Sequence, residues 1–283
     1  MNPRIVAIRA GVQRGRIEFR QTATSPGEIL GWLWMPLIAL VVMYVLSDTA
    51  VPGTDFSLGS QAVPGILAMN VVFSALLGLA AVLTMDRGDG TLLRAKATPN
   101  GMLGYLTGRV LSRAALSVLM LLIVLIPSAF IFEGLQLGSA VAWLRLAWVL
   151  ALGLVATLPV GAVLGAVFSG PQGLSLVSFL VMGLSAISGV FYPIAALPEW
   201  LQWIAQVFPL YWLGLGMRSA LLPEAVVVAE IGESWRTVEM IGVLGVWVVI
   251  GFTLAPMVLR RMARRESGSN LEARRQRAMS SMG

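Results

Sequence analysis

The residue types that most often carry out chemistry in proteins are scarce in this sequence. It contains no His and no Cys, so it lacks the commonest metal ligand, the usual proton carrier at neutral pH and any thiolate nucleophile. Its one lysine, Lys96, is followed by Ala97, whereas a phosphate-binding P-loop needs Gly-Lys followed by Ser or Thr. We therefore expect no catalytic residue, no metal site and no nucleotide bound by this chain itself.

The remaining polar chemistry is concentrated in one stretch, residues 86–99. Its first eleven residues hold five charges, while the 30 residues before it hold none. Asp86 and Asp89 precede Thr91, and Pro99 closes the stretch. Acidic residues favour the positive start of a helix, Thr can cap that start, and Pro discourages continuation at the residue before it. The pattern predicts a short helix capped by Thr91; the alternative is a charged turn without further function.

The segments around this stretch are apolar enough to cross a membrane. Hydrophobic residues make up 57% of the chain and charged residues 12%, against about 25% charged residues in soluble domains. A spanning helix needs about 20 apolar residues. Windows without charge indicate six such helices, so we predict an all-α integral membrane protein. The predicted spans are residues 29–47, 63–85, 110–132, 143–168, 174–191 and 240–259.

The arginines and the lysine indicate how these spans are oriented. Of the 20 basic residues, 17 lie in three segments, namely 1–28, 86–113 and the tail 260–283. Because cytoplasmic loops carry the excess of Lys and Arg, both termini and the 86–99 stretch are predicted to be cytoplasmic. The arginine-rich tail is explained by topology and by anionic lipid headgroups, so we expect no nucleic-acid partner.

The N-terminal segment, residues 1–28, has the pattern of an amphipathic helix. Ile5, Ile8 and Val12 recur at helical spacing with arginines between them, which is typical of a helix lying at the membrane interface. The alternative is a disordered basic tail that only sets the orientation. The arginines expected to anchor the chain at the interface are Arg9, Arg16, Arg20, Arg260 and Arg261.

The predicted external segment, residues 192–237, is too apolar for a solvated loop and too rich in proline for a spanning helix. Its tryptophans and tyrosines are residues that prefer the membrane interface. We predict two short helices that re-enter the outer leaflet; the alternative is one interfacial helix lying flat. The residues that define this region are Tyr192, Pro193, Pro198, Trp200, Trp203 and Pro209.

In the fourth span, Gly161 and Gly165 form a GxxxG pattern that permits close helix approach.

Two stretches resemble a known family of membrane proteins. Residues 86–99 are similar to the acidic-x-x-x-Gly-Thr-Leu…Thr-Pro segment that follows the second span in permeases of ABC-2 type exporters. Residues 188–211, which include Phe191-Tyr192-Pro193 and Leu197-Pro198-Glu199, resemble the family signature after the fifth span. The nearest similarity is to the daunorubicin-resistance type of drug or lipid exporter. One departure is that Asp stands at the acidic positions where the family more often has Glu.

The resemblance implies a transporter subunit rather than an enzyme, with ATP and Mg²⁺ bound by two copies of a separate ATPase subunit. It also implies a second permease subunit, identical or different, and location in the bacterial inner membrane. The 86–99 stretch and the N-terminal helix would form the ATPase docking surface, and the external helices would cap the pathway. The residues expected to couple to the ATPase are Asp86, Asp89, Gly90, Thr91, Leu92, Arg94 and Pro99.

The expected function is export of an amphipathic drug-like or lipid-like molecule, because the spans are rich in Gly, Ala and Met and suit a hydrophobic cargo. Two alternatives remain open from sequence. One is a membrane scaffold or assembly protein without transport activity. The other is an ion-coupled multidrug carrier, which the charge-free centres of the spans oppose because such carriers place ionisable groups within the membrane.

Overall fold

The computed structural model describes residues 2–51, 56–168 and 170–265, and within these ranges the chain is built from helices with no β-strand beyond one isolated bridge, Ala50 to Ser57. An apolar chain in lipid must satisfy its backbone polar groups internally, and helices do so within one segment. The all-α membrane architecture predicted from the sequence is confirmed.

The helices follow one another with short connections. Their bounds are α1 Pro3–Ala23, α2 Pro26–Val45, α3 Leu58–Val72, α4 Gly78–Gly88, α5 Thr91–Lys96, α6 Gly101–Ile131, α7 Ala140–Val167, α8 Gly170–Ile187, α9 Glu199–Val207, α10 Pro209–Leu221 and α11 Thr237–Arg265. A π-helical turn, Phe73–Leu77, joins α3 to α4. Of the predicted tail 260–283, residues 266–283 lie outside the described residues.

Five stretches are long and apolar enough to span a membrane in the part of the chain that the structure describes. They are α2, the continuous α3–α4 helix, α6, α7 and α11. The helix at the fifth predicted span, α8, is apolar but shorter, so the count of six spans stays a prediction.

The α3 helix lies at the centre of the bundle. Nearly all of its side chains are buried against α2, α6, α7 and α10. By contrast, α2 and α11 bury only a small share of their residues and expose apolar side chains such as Val45 (73%) and Val249 (62%). Apolar faces of this kind suit contact with lipid. The GxxxG pattern in α7 packs as predicted, because Cβ atoms added at Gly161 and Gly165 would lie within 3 Å of the backbone of the α3–α4 helix.

The segment after α8 contains the two short helices that the sequence predicts, α9 and α10. Apolar α10 is buried against α3 and α7, and the connection between α9 and α10 stacks Phe208 on Trp247 with ring centroids 6.0 Å apart. Trp247 is ten residues into α11, or about 15 Å from its start at 1.5 Å per residue. The tip of this helical hairpin is therefore level with the interior of α11 rather than with its end, which agrees with a re-entrant path.

Candidate functional site

The short helix α5 begins where the sequence predicts but is capped differently. Gly90 occupies the cap position with φ 82°, a backbone conformation that glycine adopts without a Cβ penalty. The Asp89 carboxylate accepts a hydrogen bond from the Thr91 N–H at 2.7 Å, while the Thr91 hydroxyl accepts one from Arg94. The prediction that Thr91 is the cap was wrong, because Gly90 is the cap residue and the side chain that accepts the free backbone N–H is that of Asp89.

The same contacts shift the pKa of Asp89. Partial burial raises this pKa, but the hydrogen bonds from Thr91 and the positive charge of Arg94 outweigh burial, so the pKa of Asp89 lies below its ordinary value of 3.8. Asp89 is therefore a carboxylate at neutral pH, and its charge faces the positive end of α5.

Asp86 lies inside the protein rather than on its surface. It is 4% exposed, and its two carboxylate oxygens accept hydrogen bonds from Tyr105 Oη at 2.5 Å and Arg109 Nη2 at 2.6 Å. Arg109 also pairs with Glu18 at 3.0 Å, and Glu18 pairs with Arg14 at 2.8 Å. This chain of contacts, the polar network of Glu18, Asp86, Tyr105 and Arg109, joins α1, α4 and α6.

A second set of contacts brings the backbones of α1 and α6 close together at glycine positions. A Cβ at Gly15 would lie 2.6 Å from the Gly108 carbonyl oxygen, and one at Gly104 would lie 2.7 Å from that of Ala7. Gly11 is equally close to the Gly104 backbone. This crossing was not predicted from the sequence, although Gly11-x-x-x-Gly15 and Gly104-x-x-x-Gly108 each have the spacing that permits close helix packing.

Together, α1, α5 and the start of α6 surround a groove of about 790 Å³. Its walls include Ala7, Ala10, Arg94 and Pro99, and the last two are exposed. Leu92 points the other way and is 1% exposed, so it fixes α5 to the bundle. Of the predicted coupling residues, Asp89, Arg94 and Pro99 are thus available to a partner, whereas Asp86, Gly90 and Leu92 are buried and Thr91 is half-buried.

The five arginines predicted to anchor the chain at the interface are exposed. On α1, apolar Ile5 (55%), Ile8 (43%) and Val12 (45%) are exposed as well. Exposed apolar residues beside exposed arginines are the arrangement of a helix that lies at the surface of an anionic membrane.

The predicted external residues divide into two groups. Trp200 and Trp203 on α9 are 63% and 66% exposed, and Pro198 immediately before this helix is exposed as well. Pro193 and Pro209 are buried, and half-buried Tyr192 donates a hydrogen bond to the Ala186 carbonyl. The exposed tryptophans face outward, as residues of a membrane interface do.

A buried ion pair that was not predicted from the sequence connects the segments of this region. Arg218 of α10 and Glu230 are 2% and 4% exposed, and they pair at 2.6 Å. Arg218 also donates to the Gly189 carbonyl at 3.0 Å. Arg218 therefore joins α10 both to the segment after α8 and, through Glu230, to the chain that leads into α11.

A second groove opens between α2 and α8, with the π-helical turn at its back. It has a volume of about 510 Å³ and is lined by apolar side chains such as Trp34, Phe179 and Met182. Asn70 also lines it, and its buried Oδ1 atom has no hydrogen-bond partner within the described residues. Volumes of about 300–1,000 Å³, apolar walls and a few polar groups are typical of small-molecule sites.

No cluster of acidic residues suited to hold a metal occurs in residues 2–51, 56–168 and 170–265.

Residues 17–222, more than half of the chain, match the family model described as ABC-2 type transporter. No individually curated protein matches the sequence.

Proposed function

The chain belongs to the ABC-2 type transporter family, and we propose that it is the membrane subunit of an exporter driven by ATP hydrolysis in a separate subunit. The cargo that we propose is an amphipathic drug-like or lipid-like molecule. The membrane subunit would pair with a second permease subunit and work with two ATPase subunits, its termini facing the cytoplasm of a bacterial cell.

The observation that carries this proposal is the rigid attachment of the groove between α1 and α5 to the membrane helices. Arg94 and Pro99 are exposed at the groove. Tyr105, which also lines the groove, belongs to the polar network of Glu18, Asp86, Tyr105 and Arg109, which joins α1 to α4 and α6. A displacement imposed on the groove is transmitted to α4 and α6, because they are connected to α1 by ion pairs and hydrogen bonds that are buried or half-buried, rather than by a flexible loop.

The groove between α2 and α8 supports the choice of cargo. Its walls are apolar, and they include Asn70 with its unpartnered Oδ1. A buried carbonyl oxygen without a partner costs free energy, and a bound molecule with one N–H or O–H donor would remove that cost. A mostly apolar molecule with a single donor group fits this groove better than a sugar polymer, which would need many polar partners.

The experiment is reconstitution of the full chain with its cognate ATPase in liposomes, followed by ATP hydrolysis against a panel of lipids and amphipathic drugs. We expect at least one compound to stimulate hydrolysis, and we expect Asn70→Leu to weaken its apparent affinity by about tenfold, the equivalent of one lost hydrogen bond. Thr253→Leu removes a polar side chain elsewhere on the bundle and should leave the affinity unchanged. An intact complex that no compound stimulates would favour a scaffold role, and transport driven by a pH gradient alone would favour an ion-coupled carrier.

A further inference from the structure

A further apolar crevice is not part of either groove above. It lies between α6, α7 and α11 and has a volume of about 910 Å³. Leu106 and Val110 of α6, Leu158 of α7 and Leu259 of α11 line it. The helix α11 packs along α7, whereas α6 and α7 touch only briefly, and the crevice occupies the space where they separate.

The length of the crevice matches one leaflet of a bilayer. Along α11 it extends from Phe252 to Ala263, and along α6 from Met102 to Ala114. At 1.5 Å per residue these distances are about 17 Å and 18 Å. Half of a hydrocarbon core about 30 Å thick is about 15 Å. The crevice is therefore about as long as one leaflet is thick, and its polar end lies at Asn100 and Arg260.

The two ends of the crevice differ in chemistry. Arg260 and Asn100 line the end that we predict to be cytoplasmic, and all other lining residues are apolar. Arg261 and Arg264 lie beside Arg260 around an adjoining depression. These three guanidinium groups have no ion-pair partner among the described residues, and clusters of basic residues at the cytoplasmic side of membrane helices attract anionic lipid headgroups.

We propose that this crevice binds one anionic phospholipid of the cytoplasmic leaflet as a resident ligand. Its acyl chains lie along α6, α7 and α11, and its phosphate accepts hydrogen bonds from Arg260 and Asn100. The crevice opens sideways to lipid, since Val155 and Phe252 at its rim are 44% and 58% exposed. A helix of a protein partner fits less well, because the site is only about one leaflet long and its polar groups lie at one end. This site does not depend on the cargo or on the ATPase.

Native mass spectrometry of the full chain, purified in a mild detergent and titrated with palmitoyl-oleoyl phosphatidylglycerol, tests the proposal. We expect one phosphatidylglycerol to bind saturably and more tightly than phosphatidylcholine with the same acyl chains. Glycerol phosphate, which has the anionic group without the chains, should not bind. Equal affinity for the two lipids, or binding of glycerol phosphate as tight as that of the lipid, would overturn the proposal.

Substitutions separate a specific site from general attraction to negative lipid. Arg260→Gln removes a charge-assisted hydrogen bond and should weaken phosphatidylglycerol binding at least about tenfold. Arg16→Gln removes the same charge from exposed α1 and should have the smaller effect of a general surface charge, roughly fivefold or less. Equal effects of the two substitutions would show that the crevice does not hold the headgroup.

Filling the crevice tests the position of the acyl chains. Ala255 lines the crevice on α11, so Ala255→Trp should abolish binding although the arginines remain. Val246→Trp places the same side chain at an exposed position of α11 and should leave binding unchanged. Circular dichroism and gel filtration verify that both variants are folded. Normal phosphatidylglycerol binding by folded Ala255→Trp would place the lipid elsewhere and refute the site.

Discussion

The polar network beneath α5 predicts a large effect of one isosteric substitution, Asp86→Asn. The Asp86 carboxylate is 4% exposed and accepts hydrogen bonds from Tyr105 and Arg109. Removing one partner of a buried ion pair costs about 3–5 kcal/mol when the other charge is left uncompensated. Here Glu18 remains 3.0 Å from Arg109, and the asparagine carbonyl can still accept one hydrogen bond. We therefore expect a smaller loss of stability, about 2–3 kcal/mol.

Unfolding of the full chain by SDS in mixed micelles, followed by circular dichroism, measures this loss. Asp48→Asn is the matched control, because Asp48 is exposed and such surface changes stay within about 0.5 kcal/mol. The double variant with Glu18→Gln should be non-additive by about 0.5–3 kcal/mol, since both carboxylates neutralise Arg109. An Asp86→Asn loss no larger than that of Asp48→Asn would refute the claim that this network joins α4 to α6.

Three further substitutions test other contacts. Gly11→Val should weaken the packing of α1 on α6 by about 1–3 kcal/mol through overcrowding, which limited proteolysis of α1 would detect. Gly27→Val is the control, because a Cβ at Gly27 meets no atom within 4 Å. Equal proteolysis of α1 in both variants would contradict the close packing at Gly11. Glu230→Gln leaves buried Arg218 with an uncompensated charge and should lower the free energy of unfolding by about 3–5 kcal/mol in the same assay. A loss of stability below about 1 kcal/mol would show that the pair does not hold α10 in place. Because the pKa of Asp89 is lowered in the folded protein, its stabilisation of α5 is present above pH 3.8 and is lost as the pH falls through the lower folded pKa. Hydrogen exchange of the α5 amides should therefore distinguish the natural chain from Asp89→Asn at neutral pH but not in strong acid. Equal exchange at neutral pH would show that the negative charge of Asp89 does not stabilise α5.

The positions of the long helices were largely predictable, because lipid imposes a simple requirement on apolar length. The predicted span 63–85 lies within the α3–α4 helix, and span 143–168 coincides closely with α7 Ala140–Val167. Helix α6 starts at Gly101, nine residues before the span predicted at 110–132. A window without charge marks the part of a helix in lipid, but the helical hydrogen bonds continue through charged residues such as Arg109.

The contacts that build the candidate site were less predictable, because they join positions far apart in the chain. The charges of Asp86, Arg109 and Glu18 were visible in the sequence, but their burial in one network depends on the crossing of α1 over α6. The spacing of Gly11 and Gly15 could have indicated that crossing. No local pattern indicates that Arg218 and Glu230 form a buried pair, since nearby charges in a connecting segment are usually exposed.

The proposal with the most direct test is that the groove between α1 and α5 receives an ATPase subunit, on the side of the membrane opposite to α9. The natural chain has no cysteine, so benzophenone maleimide can be attached to a single introduced cysteine. The most direct measurement is light-induced cross-linking in the reconstituted complex from Arg94→Cys and, for comparison, from Trp203→Cys. We predict a covalent product with the ATPase subunit from position 94 and none from position 203. A product from position 203, or none from position 94 in an intact and active complex, would contradict the account.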